Sequence, residues 1–585
     1  MRLTNFATTI AATTISTLCA LPLLSQAEET EIVAATISTA TTTDPQAEAA
    51  KHVIVVANSA DPDSVEIAEH YIRRRNIPAE NLIAFPMPKT ETITWKKFAT
   101  EIHKPLLEKL VARGLVDGVL DGGKDAAGRL ILKLPANFSP DNAVASSRIS
   151  FLVICRGVPL RISDDKSLLP PAKTDENGNE AKRGPFETNR ASVDSELAII
   201  AIPNTPVNGA IPNPLFKAAA TNPAATKLKK MVLKVARLDA PTAIEAKMLV
   251  DDAIRAEETG LMGRAYVDAG GPFPEGDKWI LAAGEVAKNL GFDTTIDNAR
   301  ALLSGDSRYD APALYFGWYS GNVAGFFTDE NFHFPPGAIA FHLHSFSATS
   351  MRADNLWTPG LVARGATATI GNVYEPYLGL THRFDFFMEE IAVGMCAGDA
   401  AAAANPALSW QTIFVGDPLY MPLKKPLDEQ LADARERPTR LHQYAFLRAA
   451  NLAAAAGGDS DKILFTASIY APGLALNLER FRREFAKNSA LPKWSLAAGN
   501  MAAENPGLLA DTAKTLAECG DAEAAVKIYR LLLDENLVPA TARKSVLKSA
   551  IECAKKNIIA SAPLFEWERE LKEKSAKAPA APASK

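Results

Sequence analysis

HVIVVANSADPDSVEIAEHYIRRRNIP, residues 52–78, sets the architecture. Val53 to Asn58 is an unbroken apolar run that ends in turn residues, the signature of a strand buried on both faces. Ser64 to Arg75 places Val65, Ala68, Tyr71 and Ile72 on one side of a helix, and Asn76-Ile77-Pro78 stops it. Leu82–Phe85 reads as the next strand and Trp95 to Arg113 as the next helix. Strand, helix, strand, helix predicts an α/β fold with a mostly parallel sheet flanked by helices.

The alternation extends along the chain. Ile149 to Ile154 is a further strand, leading into Arg156-Gly157-Val158-Pro159-Leu160. Residues 163–230 are rich in Pro, Asn and Lys and read as a long loop insertion, with Ser192-Val193-Asp194-Ser195-Glu196-Leu197 as an ordered island inside it. Strands are then expected at 232–239, 263–268, 313–317, 338–343, 366–371 and 413–418, with helices at 242–258 and 277–290. Residues 428–575 are rich in Ala, Leu, Lys and Glu and read as helical throughout. Leu516 to Pro539 has tetratricopeptide-like spacing: Gly520-Asp521 at the turn, then Ala525, Tyr529 and Pro539. The expected organisation is an N-terminal α/β region over 51–230, a second α/β region over 231–424, an α-helical C-terminal region over 428–575 and a disordered tail over 576–585.

The N-terminus has a different character. Arg2 precedes a long apolar and Thr-rich stretch, Phe6 to Leu24, and Ser25-Gln26-Ala27 offers small residues where a signal peptidase cuts. Residues 1–27 are read as a cleavable signal peptide and 28–50 as a flexible lead-in. The mature protein is then expected in the periplasm or secreted, with no membrane span after signal cleavage. Net charge is −5 with the signs interspersed, which gives no electrostatic footprint for nucleic acid. Beyond Cys19 in the leader, Cys155, Cys396, Cys519 and Cys553 are far apart and form no CxxC. This spacing suggests neither a zinc knuckle nor a disulfide scaffold, and it leaves a Cys519–Cys553 bridge open.

Over residues 52–422 the composite pattern resembles a bacterial family of undefined activity found in genomes that encode exosortase, the sorting enzyme of PEP-CTERM surface proteins. The resemblance rests on Asn58, Ser64, Tyr71 and Arg75, on the 156–160 and 192–197 motifs, and on Arg237-Leu238-Asp239. It continues in Phe316-Gly317-Trp318-Tyr319, His344-Ser345-Phe346-Ser347-Ala348, Gly365–Ala368, Gly371 to Leu378, and Val415-Gly416-Asp417-Pro418-Leu419-Tyr420. It implies a cell-envelope setting rather than a reaction. The sequence has no PEP-CTERM tail, so it is not expected to be a sorted substrate. The second half also resembles the caspase/gingipain class of cysteine peptidases. There one strand ends in Tyr-x-Gly-His-Gly with the catalytic histidine, and the next ends in the nucleophilic cysteine.

The departures from that class direct the functional reading. By this resemblance Trp318 stands where the base would be, and Ser345 where the thiol would be. An indole N–H can only donate, and a serine hydroxyl is a weak nucleophile until a base takes its proton. His342 and His344 are the candidate bases. Strand alternation puts them on one face and Ser345 on the other. Direct pairing of Ser345 with His344, the candidate catalytic pair, is therefore unfavourable unless the strand ends at His344 and the chain turns, and an inert polar cluster at the sheet end is the favoured reading. His342-x-His344 with Asp354 or Glu375 would leave a metal site short of ligands, so no metal and no cofactor is expected. Trp318, Tyr319, Asn372 and Glu375 should converge beyond the strand ends, where aromatics with an amide and a carboxylate suit a peptide or a sugar. Asp417 before Pro418 reads as a turn residue. The favoured function is a non-catalytic binding or scaffold protein with a helical appendage, for a protein, peptide or glycan partner of the envelope. The alternative is a serine-based hydrolase using Ser345.

Overall fold

The computed structural model describes residues 44–134, 148–171, 183–219, 228–303, 309–329, 332–437, 439, 441–457, 506–518, 520–538, 542–559 and 561–576. Residues 1–27, read above as a signal peptide, together with Cys519, Pro539 and the residues beyond 576, lie outside these residues.

Ten strands form one mixed, mostly parallel sheet. In chain order they are β1 (Val53–Asn58), β2 (Leu82–Phe85), β3 (Phe151–Cys155), β4 (Val235–Leu238) and β5 (Arg264–Asp268). They continue as β6 (Thr294–Asp297), β7 (Pro312–Gly317), β8 (Ile339–His342), β9 (Ala368–Asn372) and β10 (Thr412–Gly416). The spatial order is β6-β5-β7-β8-β9-β10-β4-β3-β1-β2. The strands expected from apolar runs are present, and the run over 413–418 becomes β10.

Direction reverses once. β6 through β9 are mutually parallel, β9 and β10 are antiparallel with Ala368 opposite Gly416 and Asn372 opposite Thr412, and β10 through β2 are again mutually parallel. The two blocks therefore have their carboxyl ends on opposite edges of the sheet. The regions read separately as 51–230 and 231–424 share this sheet: β4, from the second region, pairs with β3 of the first, Leu152 opposite Val235. Most of these strands are buried at every position, as continuous apolar runs require when helices cover both faces. Edge strand β6 is half-buried, and its Thr-Thr-Ile-Asp sequence carries too little apolar signal to be read as a strand.

One loop expectation is corrected. The lead-in ends at Asp44, because Pro45–Lys51 is a helix (α1) capped by the Asp44 side chain. Gln46 Nε2 donates to Glu257 Oε1 at 2.8 Å and to Leu419 O at 2.7 Å, tying α1 to the body. Inside the 163–230 insertion the ordered island is a buried helix, α2 here (Val193–Ala198), fixed by charge. Asp194 pairs with Arg237, and Glu196 accepts from Arg129 Nη1 at 2.9 Å and from Ser409 Oγ.

Leu427–Glu436 and His442–Ala455 pack on the α/β body: Tyr444 Oη donates to Asp310 Oδ2 at 2.6 Å, and Arg448 Nε to Leu290 O at 2.6 Å. Pro506–Glu518, Ala522–Asp534, Arg543–Asn557 and Leu564–Ala576 share a separate apolar core built on Leu516, Tyr529, Leu532 and Leu547. The first two of these helices flank the Gly520-Asp521 turn. Cys553 is a free thiol with Sγ 4.0 Å from Ala522 O. Among the described residues no helix is long and apolar enough to cross a membrane.

Candidate functional site

At the shared carboxyl edge of β5, β7, β8 and β9, register aligns Gly317 with Asp268 on one side and with His342 on the other. The residues singled out from sequence lie just beyond this line, but in two environments.

Trp318 is buried at 3% exposure. Its Nε1 donates to Asp277 Oδ1 at 2.7 Å, and the same oxygen accepts from the backbone N–H groups of Gly270 and Gly271. The ring lies flat against glycines: a Cβ at Gly271 or at Gly276 would sit 2.1 Å from an indole carbon. Replacing Gly276 by Ala should therefore destabilise the fold by about 1–3 kcal/mol, the range for overpacking a rigid core, read as a lower urea midpoint at unchanged slope.

Asn372 is also spent internally. Its N–H donates to Ser347 Oγ (3.0 Å), its Nδ2 to His344 O (3.0 Å), and its Oδ1 accepts from Thr381 Oγ1 (3.2 Å). Both side chains, expected to line a ligand site, are hydrogen-bonded within the protein. They position the loops that carry the site.

The two histidines separate because β8 ends at His342 and strand alternation stops there. His342 Nε2 accepts from Ser320 N–H at 3.2 Å, so the ring proton is on Nδ1 and is donated to Tyr315 Oη at 2.9 Å. The ring stacks on Trp357 with centroids 3.5 Å apart. Burial, helped by nearby His344, holds its pKa well below the usual imidazole range, so His342 is neutral and fully engaged. His344 is half-buried against the Tyr319 ring, with centroids 4.5 Å apart, and its buried Nδ1 has no hydrogen-bond partner. Burial lowers its pKa, while the Ser345 backbone and the Glu375 charge pull the other way.

Ser345 is half-buried, and among the described residues its Oγ makes no hydrogen bond with an imidazole or a carboxylate. Glu375 Oε1 accepts from Tyr377 N–H at 3.1 Å. Among the described residues no group of three or more His, Cys, Asp or Glu is gathered as metal ligands.

The exposed surface here is aromatic. Tyr319 and Phe346 are each 44% exposed, Phe186 is 51% and Phe273 is 53%. Phe273 and Tyr319 each lie 6.2 Å from the Trp318 ring centroid, and Phe186 lies 5.0 Å from Tyr377. Phe346 and Tyr377 both hold φ at 61°, a left-handed conformation costly for a bulky side chain and concentrated at functional sites. Tyr319 and Glu375 were singled out in the sequence; Phe346, Phe186 and Phe273 were not among the candidate site residues. Phe346 directly follows Ser345 in the His344–Ala348 motif, and a lone phenylalanine there carries no signal that separates an exposed ring from a core one.

Asp417, read as a turn residue, does accept from Leu419 N–H at 3.0 Å, but it also anchors a buried charge network. Tyr71 Oη donates to its Oδ1 at 2.8 Å and Arg75 Nε to its Oδ2 at 2.5 Å, while Arg75 also grips Glu257 at 2.6 and 3.0 Å. The four-residue spacing of Tyr71 and Arg75 on one helix face was the available signal.

No family model matches the chain, and no curated protein matches it. Among solved structures, one described as "Structure of Protease" is similar over 63% of this chain and 78% of its own, at 12% identity and a TM-score of 0.35. That likeness is too distant to assign an activity to this chain.

Proposed function

We propose that this chain is an exported, non-catalytic binding protein of the bacterial cell envelope, built on a peptidase-like frame whose reaction centre has been replaced. The exosortase-associated setting and the caspase/gingipain relationship are part of this reading and rest on the sequence resemblances. In this account the aromatic surface of Tyr319 and Phe346, edged by His344 and Glu375, holds a protein, peptide or glycan partner. The C-terminal helical region is a second partner-binding surface, since stacked helix pairs present extended faces to proteins.

One observation supports the non-catalytic reading: among the described residues Ser345 Oγ makes no hydrogen bond with an imidazole or a carboxylate. His342 has both nitrogens committed, and Trp318, where the peptidase resemblance puts the base, is packed on Gly271 and Gly276. A serine hydroxyl without a proton acceptor within reach is not an effective nucleophile. The competing hydrolase reading has in its favour the uncommitted Nδ1 of His344 beside Ser345. The two separate in a turnover assay with p-nitrophenyl acetate and casein. The binding reading expects no hydrolysis above buffer, identical for the natural chain and Ser345→Ala. Turnover abolished by Ser345→Ala would replace it with the hydrolase.

A further inference from the structure

We propose that the partner held at this surface is an acidic peptide segment, with carboxylates flanking an apolar or aromatic side chain. This rests on the binding reading above and adds the chemistry of the ligand.

The observation is a pair of guanidinium groups that form no ion pair among the described residues. Arg161 Cζ lies 4.8 Å and Arg190 Cζ 5.4 Å from the centre of the Tyr374 ring. Arg161 donates Nε to Thr92 Oγ1 (2.9 Å) and Nη1 to Val373 O (3.0 Å), both neutral acceptors. Arg190 is exposed, and among the described residues its guanidinium forms no ion pair. Other arginines of the chain are paired with acids, as Arg75 is with Asp417 and Glu257, Arg129 with Glu196, Arg237 with Asp194 and Arg352 with Asp239, or are held by backbone carbonyls, as Arg364 and Arg448 are. The acid nearest in charge to Tyr374, Asp164, turns its Oδ1 to Thr188 Oγ1 (2.9 Å) and Asn189 N–H (3.3 Å).

This cationic pair adjoins the exposed rings. Tyr374 O accepts from Phe346 N–H at 3.0 Å, and Phe186 packs on Tyr377 three residues further along. Arginine forks match carboxylates in a bidentate way, and aromatics with arginine are the residues that anchor protein partners. A glycan asks for outward-facing donors and acceptors beside each ring. Phenylalanine has none, and the Trp318 indole and the Asn372 amide are consumed internally.

Fluorescence anisotropy on the full chain with a labelled random copolymer of glutamate and tyrosine tests this, against polygalacturonate and polylysine. The proposal expects the glutamate–tyrosine copolymer to bind and the other two to bind at least about tenfold more weakly. It also expects Arg190→Ala and Phe346→Ala each to weaken copolymer binding by about tenfold, and added salt to weaken it further. Equal binding of polygalacturonate overturns the peptide assignment. Loss with Phe346→Ala but not with Arg190→Ala overturns the acidic assignment and leaves the binding surface standing. No effect of either variant, or no copolymer binding at all, removes both. Unchanged circular dichroism of each variant shows that the fold is retained.

Discussion

Arg237→Ala should destabilise the protein by about 3–5 kcal/mol, the cost of stripping one partner from a buried ion pair. Arg237 is fully buried in the middle of β4. Its Nε is 3.1 Å from both oxygens of Asp194, its Nη1 reaches Val158 O at 3.1 Å and Asp239 Oδ2 at 3.3 Å, and its Nη2 reaches Pro159 O at 3.0 Å. Without it, Asp194 is a buried carboxylate with no counter-charge, and two carbonyls lose their donors. Asp239 suffers less, because Arg352 Nη1 holds its Oδ1 at 2.6 Å. Adding Asp194→Leu to Arg237→Met should recover most of the loss, since a well-packed apolar pair avoids the desolvation of the charges. Urea titrations of the single and double variants check this. A single variant within about 1 kcal/mol of the natural chain would refute it.

Asp268→Asn should stabilise the protein at neutral and alkaline pH and change little near pH 4. Asp268 sits at the end of β5 with one hydrogen bond, from Leu303 N–H at 3.1 Å. Burial, with the charge of neighbouring Asp297, raises its pKa to about 7, while the Leu303 hydrogen bond opposes the rise. The groups facing it are Tyr315 and Asp297; His342 lies beyond Tyr315. Because the folded pKa lies above the unfolded one, the folded state keeps its proton while the unfolded state has lost it. Stability from this group is therefore fully present below the ordinary carboxylate range and is lost as pH rises to about 7. Asparagine keeps an acceptor for Leu303 N–H and carries no charge, so the variant should gain up to about 4 kcal/mol at pH 8 and converge with the natural chain at pH 4. Thermal unfolding across that range reads the difference. A gain equal at both ends would assign the effect to packing instead.

Much of the sheet was legible because its strands are buried on both faces and read as apolar runs: Val53–Asn58, Phe151–Cys155 and Ala313–Gly317 need no partner to be recognised. The reversal between β9 and β10 was not. Strand direction depends on how the connection crosses the sheet, and the Gly416-Asp417-Pro418 turn looks the same whichever way the strand runs. Helix α1 was hidden because its short Ala-rich sequence carries no amphipathic period, and its docking rests on Gln46, on buried Ala50 and on the hydrogen bond that Ser150 Oγ donates to Ala49 O.

The site was half legible for a similar reason. Residue type placed Trp318 and Asn372 among ligand contacts. Local space adds what residue type does not show: the Trp318 indole packs against Gly271 and Gly276, and the Asn372 side-chain amide is held by His344 O and Thr381 Oγ1. The motif of residues 192–197 was recognised as special without its role being visible. That role is electrostatic, and its partners Arg129, Arg237 and Ser409 are distant in sequence.

Intact-mass analysis after incubation with a fluorophosphonate probe addresses the reaction centre itself. A hydroxyl with no proton acceptor should leave the folded protein at its unmodified mass, as it leaves Ser345→Ala. A stoichiometric adduct mapped to Ser345 would mean that an imidazole reaches this oxygen in solution, and that the site is catalytic.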